Sequence, residues 1–211
     1  MPQLPRVVAA KVLHETRWLR MKELRYKDLN AIERSYVSVE RTTRPVTADV
    51  DAVLVLPLVR RDAGSSAVLI RQFRPPLDNW AIELPAGLID AGESVEETVT
   101  REIKEETGYD VTKFVSVGPP IVTDQGITNG SCRFVVVEVE SSTATSNSGN
   151  DASPPPQALE DTEMIQVFHV PMHSLLETLQ ERHTEHGDAI DARLYSYALG
   201  RQLSLASHGV D

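Results

Sequence analysis

Cysteine occurs once in the chain, at Cys132, so no intrachain disulfide can form and no Cys-x-x-Cys metal site exists. Cys132 reads as a small residue at a strand start, because no oriented histidine partner is suggested that would make it a nucleophile. The six histidines are scattered. His183 and His186 stand three apart without a third ligand nearby, which suits a surface helix turn better than a zinc site. Positive charge is also short. Lys and Arg number 21 against 31 Asp and Glu, for a net charge of −10, which argues against a general nucleic-acid binder with a basic face. It leaves room for a small phosphorylated substrate, since a bound divalent cation reverses the local sign. No run approaches the roughly 18 apolar residues of a membrane span. The opening MPQLPRVVAA lacks the long apolar segment of a signal peptide, so a reducing, cytoplasmic setting is the expectation, with the nucleus also open and no membrane partner.

What is present is ordinary globular material: 211 residues, 41% apolar, with no internal repeat, enough to bury a core. Residues 1–50 read as a strand-rich lead-in, in which KVLHETRWLRMKELRY suits either strand or short helix and RSYVSVERTTR alternates like an exposed strand. DAVLVLPLVR (51–60) is a continuous β-branched and leucine run typical of a buried strand. SSAVLIRQFR (65–74) repeats it after a turn, predicting a hairpin. After PPLDNW, WAIELPAG reads as a short strand and turn. Strands are expected at 111–117 and 132–140, and helices at 172–184 and 190–205. Residues 141–158, SSTATSNSGNDASPPPQA, have almost nothing to bury and are read as a disordered loop. Many strands with few helices predict a mixed-sheet α/β or α+β domain over 51–205, flanked by helices, with 1–50 as an N-terminal β extension.

Residues 87–109 read GLIDAGESVEETVTREIKEETGY. Ser94 is a suitable N-cap with Glu97 three residues on to complete a capping box, and Gly108 is a natural stop, so a helix is predicted at about 95–107. At about 100° per residue, Glu102, Glu105 and Glu106 share one arc of about 100° beside an apolar stripe of Val95, Val99 and Ile103. A solvated face explains acidity but not this spacing. Like charges at i,i+3 and i,i+4 repel by a few tenths of a kcal/mol, so the cluster is mildly unfavourable without a counterion, and a hard divalent cation such as Mg²⁺ would supply one. Arg101 lies four residues from both Glu97 and Glu105 and is able to pair with either. Gly87 and Gly92 flank a loop where the backbone turns sharply.

This stretch resembles the Nudix box, Gly-x5-Glu-x7-Arg-Glu-(aliphatic)-x-Glu-Glu-x-Gly-(aliphatic). Gly87, Glu93, Arg101, Glu102, Ile103, Glu105, Glu106 and Gly108 match at the required spacing, and only Tyr109 departs, from an aliphatic. The resemblance implies a Nudix hydrolase fold, a mixed β-sheet sandwiched between helices, and hydrolysis of a nucleoside diphosphate linked to another group. Glu102 and Glu106, with Glu105 and Glu93, would hold Mg²⁺, or Mn²⁺ in its place, and Ala86 would offer a carbonyl to it.

RQFRPP, IELPAGLID, WLR…VERTTR and DARLYSYAL look like the ADP-ribose and ADP-sugar pyrophosphatase branch, a resemblance running over about residues 15–200. It implies AMP and ribose 5-phosphate as products, and a homodimer whose N-terminal strands cross to complete the partner's site. By position, Trp18 and Tyr36 would sandwich the adenine and Arg41 and Arg74 would take the diphosphate or terminal ribose. Leu88 would line the ribose pocket, Asp124 would contact the terminal ribose, and Glu163 would act as general base, with Glu106 or Glu105 as its substitute. The alternatives are a Nudix hydrolase of another nucleotide, such as an oxidised deoxynucleoside diphosphate, or a silent domain that only binds ADP-ribose.

Overall fold

The computed structural model describes residues 4–61, 64–140 and 155–207. The lead-in resolves as three antiparallel strands, β1 (Arg6–Glu15), β2 (Leu19–Lys27) and β3 (Glu33–Arg41), in a sheet of their own. The segment that suited strand or helix is thus the β1–β2 hairpin, closed by Thr16, whose backbone N–H donates to the Leu19 carbonyl at 2.8 Å. Every residue of β1 is exposed, Val7, Val8, Val12 and Leu13 included.

The second sheet holds eight strands. β4 (Ala52–Arg61) and β5 (Gly64–Arg74) form the expected hairpin, followed by β6 (Asn79–Glu83), β7 (Ala86–Leu88) and α1 (Val95–Thr107). Next come β8 (Asp110–Val122), β9 (Ser131–Glu140), β10 (Ile165–Pro171), α2 (Leu175–His186), β11 (Ala189–Ile190) and α3 (Ala192–Ser207). The pairings are mixed: β4 runs parallel to β9 and β11 parallel to β6, while β10, β6 and β4 lie antiparallel to β5.

β4 reads as an unbroken apolar run because both of its faces are covered. Val53 and Val55 pack with Val99 and Ile103 of α1, whereas Leu54 and Leu56 pack with Leu175 and Leu179 of α2 and Leu194 of α3. Alternation along one strand therefore supplies two cores, and the sheet is sandwiched between α1 on one side and α2 and α3 on the other.

Two boundaries differ from the sequence reading. β8 continues past 117 to Val122 through Pro119 and Pro120, which an edge strand tolerates, and its register slips between Val117 and Pro120. The helix expected from 172 begins with a 3-10 turn, Met172–Ser174, and the α-helix proper starts at Leu175. Of the tract expected to be disordered at 141–158, residues 141–154 lie outside the described residues. Its end is docked: the Ala158 N–H donates to the Glu105 carbonyl at 2.9 Å, and the Gln157 amide donates to the Glu106 carbonyl. These bonds satisfy carbonyls that the last turn of a helix leaves open.

Candidate active site

α1 starts where a capping box says it should. The Glu97 N–H donates to Ser94 Oγ, and the Ser94 N–H donates to the Glu97 carboxylate at 2.8 Å. The helix ends on Gly108 at φ +75°, a conformation in which a side chain would be strained and would also strike the backbone of Pro155 and Pro156.

The capping box decides the partners of Arg101. Glu97 is engaged at the cap, so the guanidinium turns to Glu93 in the preceding loop, with Nε and Nη2 at 2.8 and 2.9 Å from its carboxylate. The same guanidinium reaches Glu102 at 2.7 Å, Glu105 at 3.1 Å and the Leu88 carbonyl at 3.1 Å. Of the two partners expected for Arg101, Glu105 is therefore used and Glu97 is not. The forked bond to Arg101, helped by Thr98 Oγ1, holds the Glu93 carboxyl down at about 2.

Glu102 and Glu106 are buried, at 8% and 2% exposure. Burial raises the carboxyl of Glu102 above its usual range. It raises that of Glu106 well above, with the charges of Glu102 and Glu163 pushing the same way. The Ala86 N–H donates to Glu106 at 3.0 Å, which ties β7 to α1. Gly87 leaves room for the Glu102 carboxylate, since a Cβ there would lie 1.8 Å from it and would push it aside.

These oxygens suit a hard divalent cation, which takes carboxylates and carbonyls as ligands and would offset the mutual repulsion. Among the described residues no three such side chains already converge as a metal-holding group, because one guanidinium draws Glu93, Glu102 and Glu105 to itself.

Other predicted residues gather around this centre. Glu163 lies two residues before β10 in a turn where the Glu160 N–H donates to its carboxylate at 2.9 Å, and its charge is felt by both Glu102 and Glu106. Arg74, at the end of β5, forks onto Glu83 with two bonds of 2.7 Å and acts on Glu106 through its charge. Glu83 and Arg193 were not singled out from the sequence. Arg193 forks onto Asp191 and is felt by Arg74. Both lie within quoted segments, IELPAG and DARLYSYAL, but no local spacing links them to the box.

The remaining predicted residues belong to the small sheet and its neighbours. Arg41 ends β3 opposite Leu19, and its charge reaches the buried Asp51. Asp124 is exposed in a loop tied to β3 by the Tyr36 hydroxyl, which donates to the Gly126 carbonyl, and by the Val39 N–H, which donates to Ile127 at 2.9 Å. Trp18 and Tyr36 are both exposed, yet they are not neighbours. Trp18 lies beside Thr42 and Tyr36 opposite Leu24. At about 3.3 Å per residue this register separates them by roughly 20 Å along the strands, so one chain alone cannot close both rings on one base. Tyr109, the departure from the box, is buried, and its hydroxyl sits 2.8 Å from His169 Nε2. It is a packing residue.

Comparison with known proteins places these features. The family model described as NUDIX domain matches residues 49–193. The chain is similar to an ADP-ribose pyrophosphatase of Saccharomyces cerevisiae, 34% identical, over 98% of this chain and 88% of that protein. It is also similar to an ADP-sugar pyrophosphatase of Mus musculus, 32% identical, over 92% and 85% of the two chains. Its fold is shared by the crystal structure of an ADP compounds hydrolase, with a TM-score of 0.67 at 19% identity over 99% and 98% of the two chains.

Proposed function

The chain belongs to the NUDIX family, and from that premise we propose that it hydrolyses the diphosphate of ADP-ribose and related ADP-sugars to AMP and ribose 5-phosphate, using Mg²⁺. The observation that carries the reading is the buried Glu102–Glu106 pair, faced by Glu163 and bordered by Arg101 and Arg74. Burying two carboxylates together is costly by itself, and a cation with its phosphate ligand would offset that cost. The relatives named for ADP-ribose and ADP-sugars supply the substrate class.

Glu102, Glu105 and Glu106, with the Ala86 carbonyl, would hold the cation, and Mn²⁺ would substitute. A bound divalent cation supplies charge that offsets the carboxylates and the diphosphate oxygens. Glu163 takes a proton from the attacking water, whose oxygen bonds to phosphorus as the bridging P–O bond breaks. Arg101 keeps Glu102 and Glu105 in one orientation. Arg74, already forked on Glu83, turns a planar pair of donors toward phosphate, with Arg41 and Asp124 toward the ribose end and Leu88 along the pocket.

Trp18 and Tyr36 stack on the adenine from two different chains, a consequence of their separation within one chain. The reading is therefore a homodimer with shared sites, residues 1–50 serving dimerisation and base binding and 51–205 the chemistry, in the cytoplasm or nucleus. Incubation with ADP-ribose and Mg²⁺ should release AMP and ribose 5-phosphate in equal amounts. No AMP from ADP-ribose, alongside turnover of another nucleotide, would overturn the substrate assignment.

A further inference from the structure

Gln72 carries a buried side-chain oxygen without a partner, the one such atom among the described residues: the residue is 8% exposed and its Oε1 accepts no hydrogen bond. A buried amide left in this state costs about 1–3 kcal/mol, and an apolar residue of similar volume would avoid that cost.

Its position is set by the strand register. Gln72 pairs with Ile165 of β10 on one side and with Ala81 of β6 on the other. Side chains alternate along β5: Ala67 and Leu69 pack with α2 and α3, whereas Val68 packs with Val99 and Ile103 of α1. Gln72 shares the α1 side with Val68. Arg74, the next residue on that side, acts on Glu106, and Glu163, two residues before Ile165, acts on Glu106 as well. The Phe73 N–H donates to the Met164 carbonyl at 3.3 Å, so the same register carried one step on sets Glu163 opposite Arg74, and Gln72 lies two residues along the strand from that pair, on the side that Glu106 occupies.

We propose that Gln72 Oε1 accepts a hydrogen bond from the attacking water, a role that rests on the hydrolytic reading above. The water gives one hydrogen to Gln72 Oε1 as a hydrogen bond and the other to the Glu163 carboxylate. Its free lone pair then points to phosphorus. As the O–P bond forms and the bridging P–O bond breaks, Glu163 takes the proton and the leaving phosphate takes the electron pair. Gln72 remains neutral throughout. An amide suits the place because it accepts a hydrogen bond without adding a further negative charge beside Glu102, Glu106 and Glu163.

The test compares the parent, Gln72→Leu and Gln72→Asn, measuring AMP release from ADP-ribose with Mg²⁺ and thermal unfolding without it. Gln72→Leu should unfold at the same or a higher temperature, while kcat falls at least about tenfold and KM stays within about twofold. Gln72→Asn, which keeps a neutral amide acceptor on a shorter side chain, should recover part of that kcat. A Gln72→Leu enzyme with kcat near the parent's would overturn the proposal. So would a rise in KM that accounts for the whole loss, which would mark a substrate contact instead, or a Gln72→Asn enzyme no faster than Gln72→Leu. Should Gln72→Leu fail to fold, Gln72→Met, of the same length, is read in the same way. If the parent itself releases no AMP, the ADP-ribose assignment fails separately, and the variants are compared on whichever diphosphate the parent cleaves.

Discussion

Replacing Glu106 by glutamine removes one negative charge from a site where Glu102, Glu106 and Glu163 repel one another, yet leaves an oxygen that accepts from the Ala86 N–H. The Glu106 carboxyl is raised by burial first and by the charge of Glu102 second, so the folded chain keeps its proton to higher pH than the unfolded chain, whose glutamate titrates near 4.5. The folded state then binds more protons, and without metal this group's contribution to stability falls as pH rises from about 4.5 through the raised folded value. Once pH has passed that raised value, the cost is present in the parent and absent from Glu106→Gln. Relieving a poorly compensated buried charge is worth about 1–3 kcal/mol, or a rise of about 3–10 °C in Tm for a chain of this size. Mg²⁺ should reverse the order, because a cation at 100 times its Kd adds about 2.7 kcal/mol to the parent and less to a variant lacking one ligand. Turnover should fall by about 10² to 10³, the usual loss for one preorganised electrostatic contact. Thermal unfolding in EDTA and in Mg²⁺, with AMP release measured on the same samples, reads all three effects. A metal-free Glu106→Gln whose Tm shows no gain on the parent's as pH is raised, or a turnover within tenfold of it, would refute the reasoning.

Other outcomes follow from the same geometry. Gly87→Ala places a methyl where the Glu102 carboxylate lies, so Glu102 must move, and kcat should drop by about tenfold or more in the AMP-release assay with little change in circular dichroism. Arg101→Lys keeps one charge but loses the fork that holds Glu93 near 2. The stabilisation from that lowered carboxyl is present above pH 4.5 and is lost as pH falls to about 2, so the Tm gap between parent and variant should be wide at pH 7, narrow below pH 4.5 and close only at about pH 2. Mixing Trp18→Ala and Glu106→Gln chains, each inactive alone, should restore about a quarter of parental activity after subunit exchange, since a two-fold dimer then has one intact site in each mixed pair. No recovery would contradict sites shared between chains.

α1 was legible because its determinants are local. The cap at Ser94, the stop at Gly108 and the apolar stripe at Val99 and Ile103 lie within one or two turns of the bonds they form. The strands β4, β5 and β9 were legible for a related reason, since burial on both faces demands continuous apolar runs. The length of β8 was not, because its prolines are harmless only on an edge, and edge position is a property of the whole sheet. Nor was the end of the Ser/Asn/Pro tract, whose residues Gln157 and Ala158 are held by carbonyls of α1 from far earlier in the chain.

By itself the sequence determined the family, the acidic helix and the set of residues that chemistry would require, because spacing along a helix translates directly into a shared face. Only the tertiary structure decided how those residues are used. Arg101 takes Glu93 instead of Glu97 because the loop after β7 folds back over the helix start while the cap consumes Glu97. Glu102 and Glu106 become high-energy carboxylates because β7 closes over them at Gly87 and Ala86. Trp18 and Tyr36 are parted by the register of β2 and β3, and Gln72 is set two residues along the strand from the Arg74–Glu163 pair by that of β5 and β10. Those distances depend on strand pairing and burial between segments remote in sequence, which no spacing along the chain encodes.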